Sequence, residues 1–116
     1  MLAKQSRLAK DKDFKKVFKG GKLFYSRIFV LKILANGLKN NRYGFVISSK
    51  VSKKSVERNK LKRQFKEVVK EFDKNLVLGL DLVVIVSPTA KNCAYKLIKS
   101  ELLRAFSTLK LFKPGK

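Results

Sequence analysis

Residues 81–86 constrain the fold more than any other part of this sequence. They read Asp-Leu-Val-Val-Ile-Val, and the unbroken apolar run after Asp81 leaves no side of the segment suited to contact with water. A short apolar run rich in branched residues is typical of a strand buried inside a sheet. We therefore predict a buried strand here, packed beneath other elements.

The segments around this strand show the patterns of three helices and two or three further strands. Helices are predicted over residues 11–19, 55–72 and 92–109, strands over residues 28–34 and 43–48, and a short edge strand over residues 22–25. Strand, helix and strand over residues 43–86 require a crossover connection. The predicted fold class is α/β (α+β), a two-layer sandwich whose mixed sheet contains a βαβ crossover.

The charge of the chain indicates its kind of partner. The 116 residues suffice for one domain, and 29 Lys and Arg against 8 Asp and Glu give a net charge of +21. Hydrophobic residues make up 45%, so the chain is not a disordered polycation. We predict a single domain over residues 1–116 with short basic tails at about 1–7 and 112–116, and such self-repulsion points to a polyanionic partner.

The composition also excludes several classes of protein. There is no His, the usual general base and commonest metal ligand, and the single Cys93 can form neither an intrachain disulfide nor a cysteine zinc site. The longest nearly apolar stretch, residues 76–86, is far below the roughly 18 residues of a membrane-spanning helix. The first residues lack the apolar core of a signal peptide. We expect a cytoplasmic protein that does not associate with membranes.

The predicted helix over residues 55–72 has two opposite stripes. The apolar stripe consists of Leu61, Phe65, Val68 and Phe72. The other stripe, about 200° away around the helix, consists of Asn59, Arg63, Lys66 and Lys70. One face can therefore dock on the sheet while the other presents a row of cations.

An ordinary solvated helix is the plain alternative for this row. Such helices are usually supported by Glu and Lys side chains four residues apart. Residues 50–70 contain two Glu among nine cations, so this pairing is scarce. We therefore favour the hypothesis that the cations bind nucleic-acid phosphates.

The basic segment carries a recognisable motif. Residues 49–63 read Ser-Lys-Val-Ser-Lys-Lys-Ser-Val-Glu-Arg-Asn-Lys-Leu-Lys-Arg, and residues 13–21 read Asp-Phe-x-x-Val-Phe-x-x-Gly after an earlier Arg7-Leu8. Over about residues 6–110 the sequence resembles the protein subunit of bacterial ribonuclease P. That family is marked by Ser-Lys-Lys-x-Gly-x-Ala-Val-x-Arg-Asn-Arg-x-Lys-Arg. Here Lys53 replaces the glycine, Ser55 the alanine and Lys60 the usual third Arg, and Lys32 stands where an aromatic residue is often found.

The resemblance implies a specific function. Ribonuclease P cleaves precursor tRNA endonucleolytically and frees the mature 5′ end; its RNA subunit is the catalyst and holds the magnesium ions. The protein subunit would bind that RNA through its basic helix. It would also contact the 5′ leader of the substrate in a cleft between the first helix and the sheet. The resemblance further implies a left-handed crossover, against the general right-handed rule. It also implies that the protein subunit needs no protein partner.

Candidate site residues follow from the residues and from this resemblance. The residues expected to bind RNA through the basic motif are Lys50, Lys53, Lys54, Arg58, Asn59, Lys60, Lys62, Arg63 and Lys66. The residues expected in the leader-binding cleft are Phe14, Phe18 and Lys32. Asn59 as a local cap, and Phe14 and Phe18 as core residues, are the alternatives. The eight carboxylates are scattered among cations, so we predict no catalytic or metal-binding residue in the protein.

Other readings of the same charge belong to different classes of protein. A small ribosomal-type protein that binds structured RNA as architecture would have similar length, charge and fold. A nonspecific DNA-binding protein would not distinguish duplex DNA from folded RNA. A cationic membrane binder fits less well, because the apolar residues are committed to strands and a core.

Overall fold

The computed structural model describes residues 11–114, apart from the side chain of Asp11. The predicted tail at residues 1–7 and the Arg7-Leu8 pair lie outside the described residues. In chain order, the elements are α1 (Asp11–Lys19), β1 (Lys22–Tyr25), β2 (Phe29–Ala35), β3 (Arg42–Val46), α2 (Ser55–Asp73), β4 (Leu80–Val86) and α3 (Tyr95–Thr108). The mixed α and β class and the order of elements confirm the sequence prediction.

The largest difference in element bounds concerns α3, which begins at Tyr95 and not at residue 92. A 3-10 turn at Pro88–Ala90 precedes it, and Asn92 has a φ of 62°. Ala94, immediately before the helix, is extended. The chain therefore turns twice after β4 before α3 can start, which an apolar helical period does not reveal.

The four strands form one mixed sheet in the order β1-β2-β4-β3. β2 runs antiparallel to both β1 and β4, and β3 runs parallel to β4. Parallel neighbours need a crossover, and α2 supplies it between β3 and β4. The predicted βαβ unit is thus present, and its left-handedness stays a prediction. β4 lies between two strands, as its uniformly apolar sequence indicates.

The main core lies between one face of the sheet and the pair α2 and α3. The Phe29 ring of β2 meets the Phe65 ring of α2 edge to face, with 5.9 Å between their centroids. Both rings are fully buried. Edge-to-face pairs of buried rings stabilise a fold by more than the burial of their apolar area alone. α2 is therefore fixed against the sheet by the apolar stripe predicted from its sequence.

The end of the described chain is part of this core. Residues 112–113 were predicted to belong to a loose tail, but Leu76 and Phe112 form an antiparallel bridge. The Lys113 N–H donates to the Asn75 carbonyl at 2.8 Å. Phe112 also packs on Phe72, with 5.9 Å between the ring centroids. The C-terminal residues thus pair with the loop that follows α2.

α1 packs on the opposite face of the sheet, over β2 and β4. Val17 and Val83 are fully buried there, with Phe14 half-buried beside them. Ile28, which precedes the first residue of β2, is buried in the main core and not on this face.

The turn between α1 and β1 depends on one glycine. Gly21 has a φ of 100°, and a Cβ built on it would lie 2.0 Å from the Ile33 carbonyl oxygen. A side chain at this position would collide with the backbone of β2. Gly21, two residues after the predicted end of the helix at residue 19, therefore lets α1 fold back over the sheet. Within the described residues, no helix is long and apolar enough to cross a membrane.

Candidate nucleic-acid interface

The loop between β3 and α2, residues 48–54, is called the basic loop below. Val51 and Ser52 are buried and anchor it to the core. The Ser52 hydroxyl donates to the Glu57 carboxylate, and the Lys54 N–H donates to the Ser52 Oγ at 3.2 Å. The Arg58 guanidinium donates to the Ser52 carbonyl at 2.9 Å. These contacts hold the loop in one conformation, and its cations Lys50, Lys53 and Lys54 are exposed.

One side of α2, here called the basic face, carries the cations of the predicted row. These residues surround a shallow depression together with Glu67, and they are Asn59, Lys62, Arg63, Lys66 and Lys70. All are exposed except Lys66, which is half-buried. The opposite side is buried, so the sheet fixes the direction in which the basic face points. This concentration of positive charge suits the backbone of a folded RNA.

Two of the predicted RNA-binding residues lie elsewhere on α2. Arg58 is half-buried and engaged with the Ser52 carbonyl, so part of its role is to hold the basic loop. Lys60 lies beside a second depression, which Gln64 and Lys91 also line. The charged residues of the motif therefore form two separate patches, while Arg58 holds the basic loop. They do not form a single row.

Two acidic groups of α2, Glu57 and Glu71, are engaged by partners away from the basic face, whereas Glu67 lies on it. The hydrogen bond from Ser52 lowers the pKa of Glu57, and nearby Lys91 and Lys54 lower it further. Glu71 pairs with Lys99 of α3, with 2.7 Å between Oε1 and Nζ. Because these carboxylates are occupied, they compensate little of the charge on the basic face.

On the other side of the sheet, the three predicted cleft residues come together. The Phe14 and Phe18 rings are 6.3 Å apart and inclined by 40°. The Lys32 ammonium lies 4.8 Å from the centroid of the Phe18 ring, a cation–π contact. Phe14 is half-buried, whereas Phe18 is 42% exposed. This group, called the aromatic cleft, places rings and a cation within reach of one ligand.

An ion-pair network fixes α1 over this cleft. Arg42 of β3 donates from Nε and Nη2 to the two oxygens of Asp81, at 2.8 and 2.7 Å. Its third nitrogen donates to Asp13 of α1 at 3.3 Å. Asn36 also donates to Asp81, at 2.9 Å. The bonds to Asp81 and Asp13 raise the pKa of Arg42, chiefly through Asp81, and they tie the start of α1 to β3 and β4.

This network was not predicted from the sequence, although the sequence contains one signal for it. Asp81 opens an otherwise apolar strand, and a buried carboxylate requires a charged or hydrogen-bonding partner. Arg42 begins the neighbouring parallel strand, directly opposite Asp81 in the register. The partner is found through the sheet topology, which the spacing of residues along the chain does not give.

The described residues bring together no group of three or more Asp, Glu, His or Cys side chains that could hold a metal ion. Asp13 and Asp81 are both bound by the Arg42 guanidinium. A guanidinium between two carboxylates takes the oxygens that a magnesium ion would use. The carboxylates of this region therefore hold α1 in its position over the sheet.

Comparisons with known proteins agree with this geometry. The family model described as Ribonuclease P matches residues 2–110. The ribonuclease P protein component of Synechocystis sp. is 34% identical over 115 residues, covering 98% of this chain and 93% of its own. That of Finegoldia magna is 38% identical over 106 residues, covering 88% of each. This chain belongs to the ribonuclease P protein family.

Solved structures of ribonuclease P proteins have the same fold. The protein from Staphylococcus aureus superposes with a TM-score of 0.85 at 29% identity, covering 93% of this chain and 98% of its own. The protein from Thermotoga maritima gives 0.79 at 29% identity, covering 88% and 96%. The resemblance seen in the basic motif thus extends over the fold, and membership of the family assigns the chain a nuclease-associated role in tRNA processing.

Proposed function

We propose that this chain is the protein subunit of ribonuclease P and binds two RNAs at once. The basic loop and the basic face would bind the RNA subunit, and the aromatic cleft would bind the 5′ leader of precursor tRNA. The observation that carries the proposal is the placement of the two surfaces. α2 packs on one face of the sheet and the aromatic cleft lies on the other, so neither ligand blocks the other.

The chemistry of each surface supports its assignment. On the basic face, cations would neutralise phosphates where RNA backbones approach closely and otherwise repel one another. Asn59, a neutral amide among these cations, can hydrogen-bond a phosphate, a 2′-hydroxyl or a base edge. In the aromatic cleft, Phe14 and Phe18 would stack on unpaired bases while Lys32 binds the adjoining phosphate. Unpaired bases and folded backbones are thus separated onto two surfaces.

We propose that catalysis belongs to the RNA subunit, with magnesium held there. Arg42 occupies the Asp13 and Asp81 carboxylates, and the chain has no His to act as a general base. The protein residues would orient the substrate and lower the charge repulsion between the two RNAs. The cytoplasm, where precursor tRNA is made in bacteria, is the compartment we propose.

Reconstitution tests this proposal. RNA subunit and precursor tRNA are mixed at near-physiological magnesium, with and without the protein, and release of the 5′ leader is followed. We expect cleavage that depends on the protein and no cleavage by the protein alone. Tight binding to the RNA subunit without any effect on cleavage would instead support an architectural RNA-binding protein.

A further inference from the structure

One row of side chains crosses all four strands on the face that carries α1. In the sheet register, Tyr25 of β1 lies opposite Val30, Val30 opposite Ile85, and Ile85 opposite Val46. We call these four residues the Tyr25 row. Val30, Ile85 and Val46 are half-buried, whereas Tyr25 is 70% exposed. The large aromatic ring of Tyr25 is thus mostly exposed to solvent at the outer edge of the sheet.

The position of α1 explains why this ring is uncovered. Asp13 pairs with Arg42 of β3, and Gly20 lies beside Leu34 of β2. Both contacts are at the end of the sheet opposite the Tyr25 row. α1 therefore crosses the sheet at that end and packs on β2 and β4. Leu23, on the same side of β1 as Tyr25, is also exposed, at 46%.

The row links the two surfaces described above. β3 ends at Val46 and the basic loop begins two residues later, so one end of the row lies on the strand that leads into the basic loop. Lys32, on the neighbouring row, lies over Phe18 of the aromatic cleft. The carboxylates of this face, Asp13 and Asp81, lie at the opposite end and are held by Arg42. The charge around the row therefore suits an anionic chain, and its apolar floor suits bases.

We propose that Tyr25 is an additional stacking site for the single-stranded leader, which crosses the sheet along the Tyr25 row. This inference rests on the proposed function. The basic loop is assigned to the RNA subunit, where cleavage occurs, so leader nucleotides near the cleavage site lie beside Val46. Tyr25 takes a base farther along the leader. Three strand spacings give a path of about 14 Å, which corresponds to about four stacked nucleotides at about 3.4 Å each.

The test measures how affinity depends on leader length. Holoenzyme is reconstituted with wild-type protein, Tyr25→Ala or Tyr25→Phe, and binding of leaderless tRNA and of precursors with leaders lengthened one nucleotide at a time is measured. Tyr95→Ala is the matched control, because Tyr95 is 39% exposed on α3, on the far side of the sheet. Thermal melting of each free protein checks that the fold is retained.

We expect Tyr25→Ala to bind leaderless and short-leader substrates like wild type, and long-leader substrates about five-fold more weakly or worse. Tyr25→Phe keeps the ring and should match wild type, as should Tyr95→Ala. An equal loss at every leader length, or no loss at any length, would overturn the role of Tyr25. If wild type itself shows no preference for a leader, the proposed function fails instead.

A second copy of this chain is the alternative binding partner for the exposed Tyr25 ring. Sedimentation of the free wild-type and Tyr25→Ala proteins distinguishes it. We expect both to be monomers. A wild-type dimer that Tyr25→Ala dissociates would place a protein surface on the ring and overturn the leader assignment.

Discussion

Removing two cations from the basic face should make binding of the RNA subunit less sensitive to salt. The variant Lys62→Ala with Arg63→Ala changes two exposed side chains on α2 and leaves its buried stripe intact. Alanine is the best helix former, so the helix should persist. Arg58 is left in place because it holds the basic loop through the Ser52 carbonyl. A change at Arg58 would mix lost phosphate binding with a disordered loop.

The magnitude follows from counterion release. Each phosphate neutralised adds about 0.7 to 0.9 to the slope of log K against log salt. Losing two such contacts should make the slope shallower by about 1.4 to 1.8. Over a fourfold rise in salt, wild type should therefore lose about ten-fold more affinity than the variant.

The assay is equilibrium binding of the RNA subunit over a series of potassium chloride concentrations at constant magnesium. The matched control is Lys96→Ala with Lys113→Ala, which removes the same charge from two exposed positions outside the basic motif. We expect its slope to stay near that of wild type. The reasoning is refuted if the basic-face variant keeps the wild-type slope, or if both double variants flatten it equally.

Three further predictions concern the cleft, the network that fixes it and the acid stability of the fold. Phe14→Ala should weaken binding of leader-bearing precursor tRNA to the holoenzyme while assembly with the RNA subunit is unchanged; a parallel loss of melting temperature and of both affinities would mark Phe14 as a core residue. Arg42→Met leaves the buried Asp81 without its cation, so urea denaturation should show a loss of about 3 kcal/mol in the free energy of unfolding. A loss within error of zero would contradict a stabilising role of this ion-pair network. The pKa of Glu101 is lowered in the folded state, first by the hydrogen bond from Arg104. The contribution of Glu101 to stability is therefore present above its unfolded-state pKa and is lost as the pH falls through its folded-state pKa. Glu101→Gln should be less stable than wild type at neutral pH, and the difference in the free energy of unfolding should shrink in acid. A difference that does not depend on pH would show that the charge of Glu101 is not responsible.

The elements that could be predicted from the sequence are those whose pattern is local. The apolar stripe of α2 and the uniform run of β4 each determine burial through their own spacing. The motif in residues 49–63 likewise gave the family, because it is specific and continuous. The basic face then followed from the helical period, since the buried stripe fixes the direction of the opposite side.

What could not be predicted depends on contacts between residues distant in sequence. Arg42 meets Asp81 only because β3 and β4 are parallel neighbours. Residues 112–113 are ordered by a bridge to the loop after α2, which their own composition does not indicate. The exposure of Tyr25 is similar, because it depends on which strands α1 leaves uncovered. For these residues the sheet order had to be known first.

Two RNAs are proposed to occupy opposite sides of one sheet, and photo-crosslinking in the reconstituted holoenzyme tests this placement most directly. A photoreactive uridine is placed either in the leader of precursor tRNA or in the RNA subunit, and the crosslinked peptides are identified by mass spectrometry. Leader crosslinks should fall in α1 and in the four strands, and RNA-subunit crosslinks in the basic loop and α2. Leader crosslinks confined to α2, or RNA-subunit crosslinks in the aromatic cleft, would contradict the account.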